Sequence, residues 1–179
     1  MKIAILSDIH DHLHNLKAFE PVLKEAAALI FCGDFCAPFT LATLAELFKG
    51  PIHAIFGNND GDQWLLSKVA SRFENVHLEG PFARLELDGK RIFVVHYPDI
   101  AEDVAASGRY SLVCYGHNHQ AAIKRLNQTF LLNPGEVMGR FGVSSIALYD
   151  TETDEATFYS LQEGKPVPWQ PQASPEKAY

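Results

Sequence analysis

The opening residues Met1-Lys2-Ile3-Ala4-Ile5-Leu6-Ser7-Asp8-Ile9-His10 set two polar side chains directly behind a β-forming run. The same device returns at Gly33-Asp34 behind Leu29 to Cys32, at Gly57-Asn58-Asn59-Asp60 behind Ile52 to Phe56, and at Gly116-His117-Asn118-His119 behind Leu112 to Tyr115. His96 closes a fifth run, Ile92 to Val95. Strands aligned in parallel deliver whatever follows them to one edge of a sheet, and in open α/β sheets ligands bind at that edge. Asp8, His10, Asp34, Asn58, His96, His117 and His119 are therefore expected to converge.

The segments between the runs carry helical spacing. Leu13, Leu16, Phe19 and Leu23 make one apolar stripe over Leu13 to Ala28, and Leu41, Leu44, Ala45 and Phe48 make another, closed by Gly50-Pro51. Three strand–loop–helix units in succession predict parallel pairing with right-handed crossovers. From Phe82 the pattern changes: Phe82 to Leu87 and Arg91 to Val95 flank Asp88-Gly89 and read as a hairpin. A helix near Asp99 to Ala106, a strand at Leu112 to Tyr115, a second hairpin over Ala121 to Leu132, and strands at Val143 to Tyr149 and Ala156 to Leu161 follow. The expectation is an α/β domain over residues 1–161, two packed sheets with helices outside. Residues 162–179 hold four of the ten prolines and read as an extended or mobile tail that Trp169 is able to pin in part.

At 179 residues the chain is long enough for one well-buried core. Its net charge of −7 and lack of a long basic run disfavour a grip on nucleic-acid backbones. A small anionic substrate stays compatible, because bound divalent cations reverse the local field. The run Ile3 to Leu6 is too short for a signal peptide or a membrane span, so no membrane partner and a cytoplasmic location are expected. Cys32, Cys36 and Cys114 read as reduced thiols, since a Cys32–Cys36 metal pair lacks a second pair.

Carboxylate, amide and imidazole donors together suit divalent metals, imidazole matching Mn, Fe, Ni or Zn. Alternation in Asp8-Ile9-His10 puts two ligands on one side and Ile9 in the core, and His117-Asn118-His119 repeats it. A strand-end carboxylate such as Asp34 is placed to bridge two cations. Each block alone reads as readily as a turn or helix cap. Their joint occurrence, in order and each at a strand exit, points to a metal-dependent hydrolase.

With Asn133-Pro134-Gly135, these blocks resemble those of the calcineurin-like metallophosphoesterase superfamily, over about Met1 to Leu161. The short chain resembles its small single-domain phosphodiesterase branch, to which a retromer subunit is related. The resemblance implies a four-layer α/β/β/α sandwich of two mixed sheets with two divalent metal ions at its top, manganese first, with iron, nickel or zinc as alternatives. It assigns Asp8, His10 and His119 to one metal, Asn58, His96 and His117 to the other, and Asp34 to the bridge. The implied reaction is attack of a metal-bridging hydroxide on a small phosphoester, most readily a diester. A homodimer is a further expectation, taken from the small relatives.

One block departs from the family. Asn59 stands where a histidine commonly protonates the leaving oxygen. An amide does not, so about 10²–10⁴-fold of general-acid help is expected to be missing, leaving activated diesters such as aryl phosphodiesters as substrates. Asn59 is kept as a catalytic candidate beside Asp34 and Asn58, but also reads as the cap of a helix over Asp60 to Val69. Asp60 is expected to orient a ligand. His12 and His14 read as exposed first-turn residues, with His12 a minor candidate for the absent acid. Asp11 reads either as a helix cap or as a contact behind the metal ligands, His53 and His77 as structural, and Arg140 as a surface residue within reach of a phosphate. Glu136, where the family often has serine, is expected to set an anion at the rim and disfavour highly charged substrates. The rival readings are a binding or scaffold module of the same fold, a phosphomonoesterase, and a nuclease or cyclic-nucleotide phosphodiesterase. The full ligand set favours an enzyme over a scaffold, and the missing basic strip ranks a nuclease lower.

Overall fold

The structure is a computed structural model and describes residues 1–171. In chain order its elements are β1 (Lys2–Leu6), α1 (Leu13–Ala18), α2 (Glu20–Leu23), β2 (Ala28–Phe31), α3 (Pro38–Leu47), β3 (Ile52–Ala54), α4 (Gln63–Ala70) and β4 (Val76–Leu78). Then come β5 (Phe82–Leu87), β6 (Lys90–Val95), α5 (Pro98–Ala106), β7 (Leu112–Cys114), β8 (Ala122–Leu126), β9 (Thr129–Asn133), β10 (Ser145–Asp150), β11 (Glu155–Gln162) and β12 (Lys165–Trp169). A seven-stranded sheet runs β12-β11-β10-β1-β2-β3-β4 and a five-stranded sheet runs β5-β6-β7-β9-β8. β1 to β4 pair in parallel, as do β6, β7 and β9, while the remaining pairs are antiparallel, so both sheets are mixed.

Three apolar cores account for the layers. In β1, Ala4 and Leu6 face a core shared with Leu16, Phe19, Leu41, Leu44 and Leu66 of the helices, whereas Ile3 and Ile5 face the other sheet. There they meet Ile92 and Val94 of β6 and Leu112 and Cys114 of β7. The opposite faces of those strands, Phe93, Val95 and Val113, pack on Ala101 and Ala105 of α5. The order is therefore helices, sheet, sheet, helix, the expected four-layer sandwich. Central strands covered on both faces read as continuous apolar runs, and each buried Leu or Ile contributes about 1.5–3 kcal/mol of transfer free energy.

Four local expectations are corrected. The stripe Leu13 to Ala28 is not one helix: α1 stops at Ala18, Pro21 sits in the first turn of α2, and Ala28 already belongs to β2. Proline has no N–H for a continuous helical ladder but is tolerated in a first turn. The helix expected from Asp60 starts at Gln63, capped by Asp62, whose carboxylate accepts Leu65 N at 2.8 Å. β4 was not expected, because Val-His-Leu is short and only half-buried. The region after Leu161 is not a tail throughout: β11 continues to Gln162, and β12 pairs with it from Lys165 to Trp169. Trp169 lies opposite Phe158 and packs against the core between the sheets. Residues 172–179 of the expected tail lie outside the described residues. Among the described residues no helix is long and apolar enough to cross a membrane.

Candidate metal centre

β1, β2 and β3 of one sheet and β6 and β7 of the other open their carboxyl ends on a common edge, and the polar blocks occupy the loops there. Five of the seven expected donors leave their strands in the left-handed backbone region, with φ of 55° at Asp8, 43° at His10, 67° at Asp34, 70° at His117 and 61° at His119. Asp and His are enriched there among non-glycine residues, and such conformations persist where surroundings over-determine them. Here the loops fix one another. Asp8 N donates to Gly33 O at 3.0 Å, Ile9 N and His10 N donate to Asp34 O at 3.1 and 3.2 Å, and Gly116 N donates to His96 O at 3.1 Å. Two glycines permit the close approach: a Cβ on Gly57 would collide with Asp34 Oδ1, and one on Gly116 with Ser7 Oγ. Asp60, buried, accepts Gly57 N (2.6 Å) and Asp34 N (3.1 Å) on Oδ2 and Cys36 N (2.9 Å) on Oδ1. It thus orients the site through the backbones of the loops carrying Asp34 and Asn58.

Within this frame the seven donors meet. Asp8, His10 and His119 each bring one ligand atom within 4.8 Å of the others, and so do Asp8, Asp34 and His96. His10 Nε2 lies 3.4 Å from Asp34 Oδ2 and 3.6 Å from Asp8 Oδ1, and His119 Nε2 lies 3.4 Å from Asp8 Oδ1. His96 Nε2 lies 3.4 Å from Asp34 Oδ2. Asn58 Oδ1 sits 2.9 Å from His96 Nε2 and 2.8 Å from His117 Nδ1. Asp8 Oδ1 and His10 Nε2 are buried and have no hydrogen-bond partner. Buried polar atoms nearly always find one, so two unsatisfied ligand atoms facing each other fit a cation between them. Asn58, His96 and His117 satisfy one another through ring protons that a cation would displace. The donors therefore fit divalent metal ions.

Three histidines turn Nε2 inward because Nδ1 is held outside. His96 Nδ1 donates to Cys32 O at 2.7 Å, His119 Nδ1 faces Glu136 Oε2 at 2.8 Å, and His10 Nδ1 faces Cys36 Sγ at 3.3 Å. Such partners fix ring orientation and tautomer. Burial would raise the Asp34 carboxyl, but hydrogen bonds and charge from His96, with two hydrogen bonds from Asn59, outweigh it and hold it at about 2. Burial would lower His96 and His119, yet Asp34 and Asp8 raise the first and Glu136 and Asp8 raise the second. His117 is lowered, by its burial and by His96.

Several residues stand elsewhere than expected. Asn59 caps no helix: its backbone N donates to Asp34 Oδ1 and its Nδ2 to Asp34 Oδ2, both at 2.8 Å. Glu136 is not a rim anion but fully buried behind His119. Asp11 tethers the start of α3 instead of capping a helix, accepting Ala37 N at 2.9 Å and the Thr40 hydroxyl. His12 is exposed and accepts Asn15 N at 3.4 Å as the cap of α1. His53 and His77 stack on each other at 5.0 Å on β3 and β4. The partners Glu136, Cys36 and the Cys32 carbonyl escaped the sequence reading. Only Glu136 had a usable signal: it follows Asn133-Pro134-Gly135 at the exit of β9, which runs parallel to β7.

Residues 1–154 match the calcineurin-like phosphoesterase superfamily domain. A phosphodiesterase of Methanocaldococcus jannaschii is 34% identical over 160 residues, covering 87% of this chain and 96% of its own. A solved archaeal phosphodiesterase superposes with a TM-score of 0.83 at 31% identity, covering 90% of this chain and 100% of that one. Vacuolar protein sorting 29 from Cryptosporidium parvum shares the fold at 15% identity, with a TM-score of 0.70 over 94% of this chain and 95% of that one.

Proposed function

Because the chain belongs to the calcineurin-like phosphoesterase superfamily and is a metal-dependent phosphoesterase, we propose that it hydrolyses small phosphodiesters at the edge built around Asp8 and Asp34. The observation that carries this reading is the pair of buried, unpartnered ligand atoms, Asp8 Oδ1 and His10 Nε2, at the focus of seven converging donors. Asp8, His10 and His119 would hold one divalent cation and Asn58, His96 and His117 a second, with Asp34 shared and manganese first among Mn, Fe, Ni and Zn. When bound, such ions make water a competent nucleophile near neutral pH and offset charge on the phosphoryl oxygens.

The chain's own groups supply the frame for that chemistry. Asn59 and His96 keep Asp34 ionised, so it offers oxygen rather than a proton at any working pH. The Asn59 amide is committed to Asp34 and protonates nothing. Departure of the ester oxygen then leans on its own acidity, which supports aryl and other activated diesters over alkyl phosphomonoesters. A panel of both substrate types with Mn²⁺, run beside Asp34→Ala, tests the reading. Aryl diester turnover should dominate and vanish in Asp34→Ala together with retained metal. Faster alkyl monoester turnover at neutral pH would overturn it.

The proposed partner is a small phosphoester rather than nucleic acid, which the charge of −7 supports. A cytoplasmic location is supported by three free thiols, two of them buried. The proposed homodimer is checked by sedimentation of the full chain.

A further inference from the structure

Glu136 has no place in the ligand set, yet it is completely buried just beyond β9. Its two oxygens do different things. Oε2 faces His119 Nδ1 at 2.8 Å, and Oε1 accepts the backbone N–H of Phe141 and of Gly142, each at 2.7 Å. A buried carboxylate is costly unless its lone pairs are used, and here both oxygens are engaged. The outcome at the surface is unusual. The Phe141 ring stands edge-on to His119, centroids 5.1 Å apart, yet remains 72% exposed. Across the donor cluster Tyr97, 39% exposed, stands edge-on to His96 at 5.4 Å and to His117 at 5.1 Å. Phe141 is therefore held beside the centre by backbone hydrogen bonds to a buried group and not by burial of its own ring. A flat apolar face fixed next to a polar focus is how ligand sites are commonly lined.

We propose that the Glu136 carboxylate builds two things at once, the orientation of His119 as a metal ligand and the seat of Phe141, so that the His119 side of the centre and an aromatic wall for a planar ester group of the substrate stand or fall together. Glu136 is thus a positioning residue, and the substrate class narrows to phosphoesters carrying an aryl or heterocyclic group. The second half rests on the phosphoester reading above; the first does not.

Glu136→Gln separates the two tasks, because a carboxamide has one acceptor oxygen for two kinds of donor. Three readouts need no turnover: Mn²⁺ affinity by competition with a chelator, amide hydrogen exchange at Phe141 and Gly142, and binding of phenylphosphonate against methylphosphonate to the Mn²⁺-loaded chain. Glu136→Gln should lose one of the first two properties, either about 10–100-fold in metal affinity or the exchange protection, and keep the other. Glu136→Ala should lose both. Phe141→Ala should keep metal affinity and lower phenylphosphonate binding about 3–10-fold, with methylphosphonate unchanged. Glu136→Gln with both properties intact would overturn the coupling, whether or not Glu136→Ala folds. An unchanged phenyl preference in Phe141→Ala would overturn the wall. If neither phosphonate binds the metal-loaded wild type, the phosphoester reading and the wall fall together, while metal affinity and exchange still decide the coupling.

Discussion

Asn59 grips Asp34 at both carboxylate oxygens, from its backbone N to Oδ1 and from its side-chain Nδ2 to Oδ2, each at 2.8 Å. Asn59 thus acts on the carboxylate at the middle of the donor cluster. Asn59→Ala keeps the backbone bond and removes the other. A hydrogen bond to a charged group is worth about 1.5–3 kcal/mol, so apparent metal affinity should fall about tenfold or more, measured by calorimetric titration with Mn²⁺. Unaltered affinity would show that the Nδ2 bond contributes nothing to holding the centre.

Metal loading should depend steeply on pH. His96 and His119 are both raised above the usual imidazole value, and a ligating imidazole must give up its proton. Apparent Mn²⁺ affinity should therefore weaken as pH falls below neutral, more than for a site with ordinary histidines. Without metal the sign reverses for His96. Its raised value stabilises the fold below pH 6.5 and loses that contribution as pH climbs through the folded-state value, whereas Asp34, held at about 2, contributes above pH 3.8 and loses it toward 2. Thermal melts of the metal-free chain from pH 3 to 9 should show this pair most stabilising between about pH 4 and 6.5.

Gly116→Ala should be poorly tolerated. The new methyl would meet Ser7 Oγ and come within 2.7 Å of Asp8 Oδ2, against two buried side chains. A loss of roughly 2–3 kcal/mol is expected, at the upper end of ordinary point mutations, read as a drop in melting temperature of the metal-free chain. Gly61→Ala, with open space around the added carbon, should leave it unchanged within about 1 kcal/mol.

Cys36 should be chemically quiet in the metal-free chain. Burial, followed by the nearby carboxylates of Asp11, Asp34 and Asp60, pushes its thiol up to about 12. Since the thiolate is the reactive form, iodoacetamide at pH 8 should leave Cys36 largely unmodified, and Cys32 and Cys114 are shielded by burial. Peptide mass mapping before and after denaturation checks this; rapid labelling of Cys36 in the folded chain would contradict it.

Truncation after Leu161 should destabilise the domain. It cuts the β11–β12 hairpin and removes Trp169 from its place opposite Phe158. Losing a half-buried tryptophan packed on the core together with a paired strand should cost about 3 kcal/mol or more, visible in urea unfolding as a lower midpoint.

The converging donors were legible because each depends on a local relation: a β run, then a polar residue at its exit. Parallel pairing needed only the helices between the first three strands. What escaped depends on contacts distant in sequence. Nothing near Cys36 announces His10, and the strand-exit position of Glu136 hints that it lies near the site without revealing that it turns inward to His119 while taking the amides of its own loop. Asn59 read as a cap because asparagine before a helix usually is one; the loop instead closes on Asp34, and Asp62 does the capping. β12 was missed for a compositional reason, since Pro166 and Pro168 break the pattern of a strand while occupying one.

Those two prolines have a consequence of their own. They share parity along β12, so the amide protons available to β11 belong to the alternating positions Lys165, Val167 and Trp169, and the outward margin presents proline nitrogens with nothing to donate. A neighbouring molecule seeking to add a strand there finds half the zipper missing. On that side the seven-stranded sheet offers a poor template for an added strand.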